Sequence, residues 1–187
     1  MQLDQFIQIT DNFIMPQTCS KILSFVNTVK FQKAGVGHDC NIDFDIRKTW
    51  EYPLHFARED MSAVHWYNFL HFVFSQAHLH YKKFVKVDDN IITSIKDINI
   101  LKYQDKGFYN YHTDHFEKFP RSLSFILLLN NDYEGGQLCF RNPDKTGEQV
   151  VDIKPGRLIT WPSNFQYPHT VKPVTKGTRF SIVAWGL

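Results

Sequence analysis

Periodicity changes once along this chain, near residue 90, and that change restricts the fold more than any other feature. Before it, apolar residues recur every three or four positions. Cys19, Ile22, Leu23, Val26 and Val29 follow Pro16, a residue suited to a first helical turn. Val64, Tyr67, Leu70, His71, Phe74, Ala77, Tyr81 and Phe84 keep the same rhythm, so the spacing predicts a long helix over Met61–Lys86. Ile7 and Ile9 suggest a short strand. Residues 31–58, with Gly35, Gly37 and many Asp, read as a loop carrying short strands. After residue 90 the apolar segments are short and split by turn residues. Ile95–Tyr103, Phe108–Asp114, Leu123–Leu129, Gln137–Arg141, Gln149–Ile153, Arg157–Trp161, His169–Val174 and Arg179–Trp185 are candidate strands, with turns marked at Gly135-Gly136 and Pro155-Gly156. Short strands of even spacing predict a jelly roll or barrel, and the helices before them would cover one sheet, an α+β arrangement.

The chain is long enough for one domain with a sizeable core. It has 187 residues, 43% of them hydrophobic, with 17 Phe. We expect a single domain over 1–187, with helical support and substrate-side loops over 1–90 and the jelly-roll core over 91–187. A net charge of +2 without a Lys/Arg block gives no strong nucleic-acid signal. Cys19, Cys40 and Cys139 are odd in number and form no CxxC, which suits free thiols in a reducing compartment. Neither a signal-peptide pattern nor an apolar run of membrane-spanning length is seen. The expectation is a soluble cytoplasmic protein without a membrane partner. Oligomeric state leaves no signature.

Chemistry gathers in the second half. On a strand, residues i and i+2 face one way, so His112 and Asp114 of Tyr111-His112-Thr113-Asp114-His115 can reach one point. Two histidines and one carboxylate on a first-row divalent metal leave open positions, the facial triad of non-haem Fe(II). The third ligand has to come from a distant strand, and His169 is the candidate. Ten residues later stands Arg179, in an otherwise apolar alternating segment. Arg179 and Ser181 share a face, and a guanidinium on an inward face needs an anion. By the same parity Trp185 lies on that face. The histidines at 65, 71, 78 and 80 in the long helix do not share a ligand-forming face and read as surface or packing residues.

Together these features resemble the Fe(II)/2-oxoglutarate-dependent dioxygenase superfamily, closest to its prolyl 4-hydroxylase-like branch. The likeness runs from about Ile95 to Trp185. It is carried by Tyr103…Gly107-Phe108-Tyr109…His112-x-Asp114, Leu129-Asn130…Glu134-Gly135-Gly136, Pro155-Gly156-Arg157-Leu158, His169-x-Val171-x-Pro173-Val174 and Gly177-x-Arg179. The resemblance implies a double-stranded β-helix (jelly-roll) core and iron held by His112, Asp114 and His169. It also implies 2-oxoglutarate and O₂ as cosubstrates, and leaves ascorbate open as an accessory reductant. The distal carboxylate of 2-oxoglutarate would pair with Arg179, helped by Ser181, and Tyr103 would line the cosubstrate pocket. Hydroxylation of an unactivated C–H bond follows, on a prolyl residue of a peptide or protein or on a small molecule. Residues 31–58 and Phe116–Arg121 would recognise the substrate. One departure stands out: Phe125–Leu129 carries no hydroxyl where some members place a tyrosine against that carboxylate. Ser181, Thr160 and Tyr103 are the candidate replacements.

Two readings from other classes compete. A cupin-type metal enzyme without 2-oxoglutarate would show HxH closely followed by Glu, whereas this chain has HxD and would leave Arg179 without a role. A non-catalytic jelly-roll binding module needs neither convergent metal ligands nor a buried Arg. The nucleic-acid dealkylating branch of the same superfamily carries a second Arg where this chain has Trp185.

Overall fold

The computed structural model describes residues 5–37, 41–57, 60–118 and 120–187, so Cys40 lies outside the described residues. Its strands are β1 (Gln8–Thr10), β2 (Gln32–Lys33), β3 (Arg47–Lys48), β4 (Trp50–Pro53), β5 (Ile95–Tyr103), β6 (Phe108–His112) and β7 (Leu123–Leu128). They continue with β8 (Glu134–Gly135), β9 (Leu138–Arg141), β10 (Glu148–Val150), β11 (Leu158–Pro162), β12 (His169–Val171), β13 (Val174–Lys176) and β14 (Arg179–Gly186). Two helices, α1 (Pro16–Val26) and α2 (Met61–Val85), precede β5. A seven-stranded antiparallel sheet runs β1-β11-β7-β14-β5-β4-β2 and a five-stranded one runs β10-β9-β12-β6-β3.

The helices form where the spacing predicts them. Pro16 occupies the first turn of α1, where its missing N–H costs nothing. The Asp60 carboxylate caps α2 by accepting from the Ser62 amide at 2.8 Å, and Lys86 closes its other end in the left-handed conformation. The buried stripe of α2 is Ala63, Leu70, Val73, Phe74, Ala77, His78 and Tyr81. Phe84, expected on that stripe, is exposed, with its ring beside that of the buried Tyr81. His78 is buried and its pKa is lowered, chiefly by that burial. His80 pairs with the Gln8 amide at 3.0 Å. Among the described residues none of the four helix histidines joins a metal-ligating cluster.

Each of the eight segments expected after residue 90 overlaps a strand. His169–Val174 divides into β12 and β13, and Gly135, read as part of a turn, belongs to the short strand β8, which pairs with β13. Only glycine fits at Gly135: an added Cβ would stand 2.2 Å from the Pro173 carbonyl oxygen. The first half also contributes strands, because β1 pairs with β11, β4 with β5 and β3 with β6. Strand alternation then divides the large sheet. Ile98, Ile100, Phe125, Leu127, Leu158, Ile182 and Ala184 pack under α1 and α2. Leu101, Tyr103, Ile126, Leu128, Ile159, Trp161, Val183 and Trp185 face the small sheet, against Leu138, Phe140, Tyr167 and Val171.

Candidate metal and cosubstrate site

Pairing in the small sheet builds the first half of the site. β12 lies between β6 and β9, and His169 stands directly opposite His112 across the β6–β12 pair. Cross-strand partners are about 5 Å apart, so the two imidazoles meet, with ring centroids 4.2 Å apart. Asp114 arrives by a different route from the one the sequence suggests. β6 ends at His112, so the same-face rule for a strand does not place the carboxylate. Instead the amides of Asp114 and His115 donate to the Ser163 carbonyl at 3.2 and 3.0 Å, which turns the chain back toward the histidines. The Asp114 carboxylate then lies 3.5 Å from Nε2 of each histidine. One ligand atom from each residue lies within 4.8 Å of the others.

Each of the three groups is aimed by a hydrogen bond. His112 Nδ1 is 2.8 Å from the Asn110 carbonyl and His169 Nδ1 is 3.1 Å from the Tyr167 carbonyl. A carbonyl only accepts, so both Nδ1 atoms carry the proton and both Nε2 lone pairs face the shared point. The Ser124 hydroxyl donates to Asp114 Oδ2 at 2.6 Å and lies 2.7 Å from the Ser163 hydroxyl. Burial drives the His169 pKa down to about 4, so its imidazole is neutral near pH 7. Burial alone would raise the Asp114 carboxyl, but His169, His112 and Ser124 outweigh it and hold the group ionised. Two imidazole nitrogens and an anionic oxygen form a donor set that suits a divalent first-row metal.

The second half lies on the large sheet. Arg179 and Tyr103 are direct partners across β14–β5, and Ser181 sits between Leu101 and Leu128. Arg179 is 1% exposed, the figure that matters for a guanidinium, and among the described residues no carboxylate pairs with it. Its Nη1 donates to the Ser181 hydroxyl at 2.7 Å, and its carbon centre stands 4.9 Å from the Tyr103 ring. Its Nε and Nη2 have no hydrogen-bond partner. A buried cation with two unused donors in a fork fits a carboxylate from outside the chain. Thr160, one of the candidate replacements for the missing hydroxyl, is excluded. It faces Phe125 across β11–β7 and so lies on the helix-covered side of the sheet.

Aromatic groups wall the space around the three ligand atoms. The Tyr109 ring stacks on His112 with centroids 3.6 Å apart, and Trp161 stands edge-on to His169 at 4.9 Å. Trp185 lies on the inward face, and the Arg121 guanidinium is 3.7 Å from its ring centroid. Ser124, Ser163, Trp161 and Tyr133 enter the site only through the structure. Ser124 carries a sequence signal, being a hydroxyl of inward parity beside a dense apolar run. Ser163 acts through its backbone carbonyl as well as its side chain, which leaves no sequence trace.

Known proteins agree with this geometry. Residues 98–186 match the family model described as the 2OG-Fe(II) oxygenase superfamily. A PKHD-type hydroxylase of Crocosphaera subtropica is 35% identical over 98 residues, covering 49% of this chain and 42% of that protein. Human prolyl 3-hydroxylase 2 is 41% identical over 66 residues, covering 35% of this chain and 9% of that protein. The chain thus spans less than half the length of these curated relatives. Among solved structures, a Trichoplax adhaerens prolyl hydroxylase in complex with a hypoxia inducible factor peptide superposes with a TM-score of 0.76 at 18% identity, covering 100% of this chain and 87% of that one. A Pseudomonas putida prolyl-4-hydroxylase gives 0.73 at 20% identity, covering 98% and 96%. Through residues 98–186 the chain is similar to the 2OG-Fe(II) oxygenase superfamily, and its fold is that of the solved prolyl hydroxylases.

Proposed function

We propose that this chain is an Fe(II)- and 2-oxoglutarate-dependent oxygenase that hydroxylates an unactivated C–H bond, with a prolyl residue of a peptide or protein as substrate. Similarity to the superfamily implies Fe(II), 2-oxoglutarate and O₂. The observation that carries the reading is the pairing of two built halves. Two Nε2 atoms and a carboxylate converge on one point, and a buried guanidinium with unused donors stands on the facing sheet. When bound, iron and 2-oxoglutarate supply the oxidising power: O₂ is consumed, 2-oxoglutarate becomes succinate and CO₂, and C–H becomes C–OH.

The chain's own residues would hold and orient. His112, Asp114 and His169 hold the metal, with Asn110, Tyr167 and Ser124 fixing their aim. Arg179 and Ser181 bind the distal carboxylate, and Tyr103 lines that end of the pocket. Tyr109, Trp161 and Trp185 keep water from the reacting centre. A prolyl substrate is supported by what the relatives and fold neighbours are named for, which in three of the four is prolyl hydroxylation. Residues 31–58 and Phe116–Arg121 would contact it, and ascorbate would serve as an accessory reductant. Free, buried Cys19 and Cys139 suit the reducing cytoplasm. No helix of the described residues is long and apolar enough to cross a membrane. The whole of residues 1–187 would act as one domain.

The test is spectroscopic. Fe(II) and then 2-oxoglutarate are added to apo protein under strict anaerobiosis. We expect a weak visible charge-transfer band that needs both additions and is lost in His169→Ala. No band from folded, iron-loaded protein would reject the 2-oxoglutarate reading.

A further inference from the structure

A phenol without a partner stands at the carboxylate-binding end of the site. Tyr133 is 8% exposed, and its hydroxyl has no hydrogen-bond partner. The residue is seated by two glycines in the left-handed conformation. At Gly136 an added Cβ would stand 3.0 Å from Arg179 Cδ and 3.2 Å from Tyr133 Cε2. At Gly177 it would stand 3.1 Å from Tyr133 Cα. Gly136 therefore touches both the arginine stem and the phenol edge, and a side chain at either glycine would drive the ring from its place. The hydroxyl also feels the guanidinium, whose charge lowers its pKa. Burial is the larger effect and raises it, so the phenol stays protonated and is a donor.

Three buried donors accordingly lack acceptors in one place: Arg179 Nε, Arg179 Nη2 and the Tyr133 hydroxyl. The phenol oxygen can accept from the neighbouring guanidinium, but no acceptor is left for the phenol's own proton or for the rest of the fork, and each donor left unpaired in the interior costs its desolvation. A carboxylate offers two oxygens with about four acceptor sites, enough for all three donors. Of the other hydroxyls, Ser181 accepts from Arg179 Nη1 and keeps its own proton to donate, Thr160 faces the helices, and Tyr103 meets the guanidinium with its ring.

We propose that Tyr133 supplies a second contact to the distal carboxylate of 2-oxoglutarate, donating its hydroxyl beside the Arg179 fork. The assignment rests on the oxygenase reading above and gives this chain the hydroxyl that Phe125–Leu129 lacks. It makes Tyr133 a determinant of cosubstrate choice, favouring a five-carbon dicarboxylate over a 2-oxo acid that ends in a methyl group.

The experiment titrates the Fe(II)-loaded full chain anaerobically with 2-oxoglutarate and with 2-oxovalerate, reading heat and the visible band. Tyr133→Phe removes only the hydroxyl. We expect its 2-oxoglutarate affinity to fall about tenfold while its 2-oxovalerate affinity stays at the wild-type value. The metal-free variant is expected to melt no lower than wild type, since the lost group had no partner. Unchanged 2-oxoglutarate affinity overturns the proposal and leaves the oxygenase reading standing. Equal losses for both acids also overturn it, because the ring would then only shape the pocket. A metal-free variant that melts far below wild type makes the hydroxyl structural and overturns the proposal as well. Wild-type protein that binds neither acid removes the oxygenase reading and this proposal with it.

Discussion

The two faces of the large sheet are made by the same strands and do different work. On the helix side, Phe125, Leu127, Leu158, Ile182 and Ala184 are packed with apolar neighbours from α1 and α2. One residue along each strand, the other face carries Ser124, Trp161, Arg179, Ser181 and Trp185. Burial is nearly complete on both, so exposure does not distinguish them. Polar content does: the helix-side face has one unpartnered polar side-chain atom, Thr160 Oγ1, among the described residues of these strands, whereas the inner face gathers several, including Arg179 Nε and Nη2 and the indole N–H groups of Trp161 and Trp185. The outer face holds the sheet together, and the inner face keeps donors in reserve.

The largest expected effect lies opposite the inner face, in the turn after β6. Asp114→Ala should abolish tight Fe(II) binding and turnover while the chain stays folded, as metal titration and circular dichroism would report. Full turnover in that variant would break the metal assignment. Next comes the outer face. Phe125→Ala should cost about 3–5 kcal/mol of stability in chemical denaturation and leave the 2-oxoglutarate affinity of the folded fraction intact. An affinity loss without a stability loss would show that the faces are not separate.

Ser124→Ala sharpens the inner face. It removes the bond that fixes Asp114 Oδ2 and should weaken metal affinity by about 10–100-fold, measured by competition with a chelator. The effect smallest per step is a pH dependence of the metal-free protein. The His169 pKa is lowered from 6.5 to about 4 in the folded state, so unfolded chains bind more protons between those values. The stability that neutral His169 allows is present above pH 6.5 and is lost as pH falls toward 4, on the order of 1 kcal/mol per pH unit. Melting curves of wild type and His169→Ala should diverge in slope over that window. Parallel curves would assign the acid sensitivity elsewhere.

Much of the site is legible in the sequence because its chemistry demands rare residue types. An HxD, a distant His and an Arg on an apolar alternating segment are easy to find; His112 and His169 pair on one sheet, Arg179 and Ser181 lie on the facing one, and Asp114 stands in the turn after β6. For Asp114, strand alternation is not what brings the carboxylate to the histidines. β6 stops at His112, and the Ser163 carbonyl makes the turn. Thr160 turns away from the site because its face depends on register with β7, and register is set by pairing between distant segments, Thr160 lying opposite Phe125. Tyr133 carries no local signal, because its position is set by two glycines, one of them far along the chain.

By itself the sequence determined the elements and the stock of reactive groups, since helix and strand periods and turn residues are local. It determined which side chains of one strand share a face. Only the tertiary structure decided which faces meet, which hydroxyl reaches Asp114 and which phenol stands beside Arg179. Those are contacts between distant segments, fixed by strand register and core packing, and no local pattern encodes them.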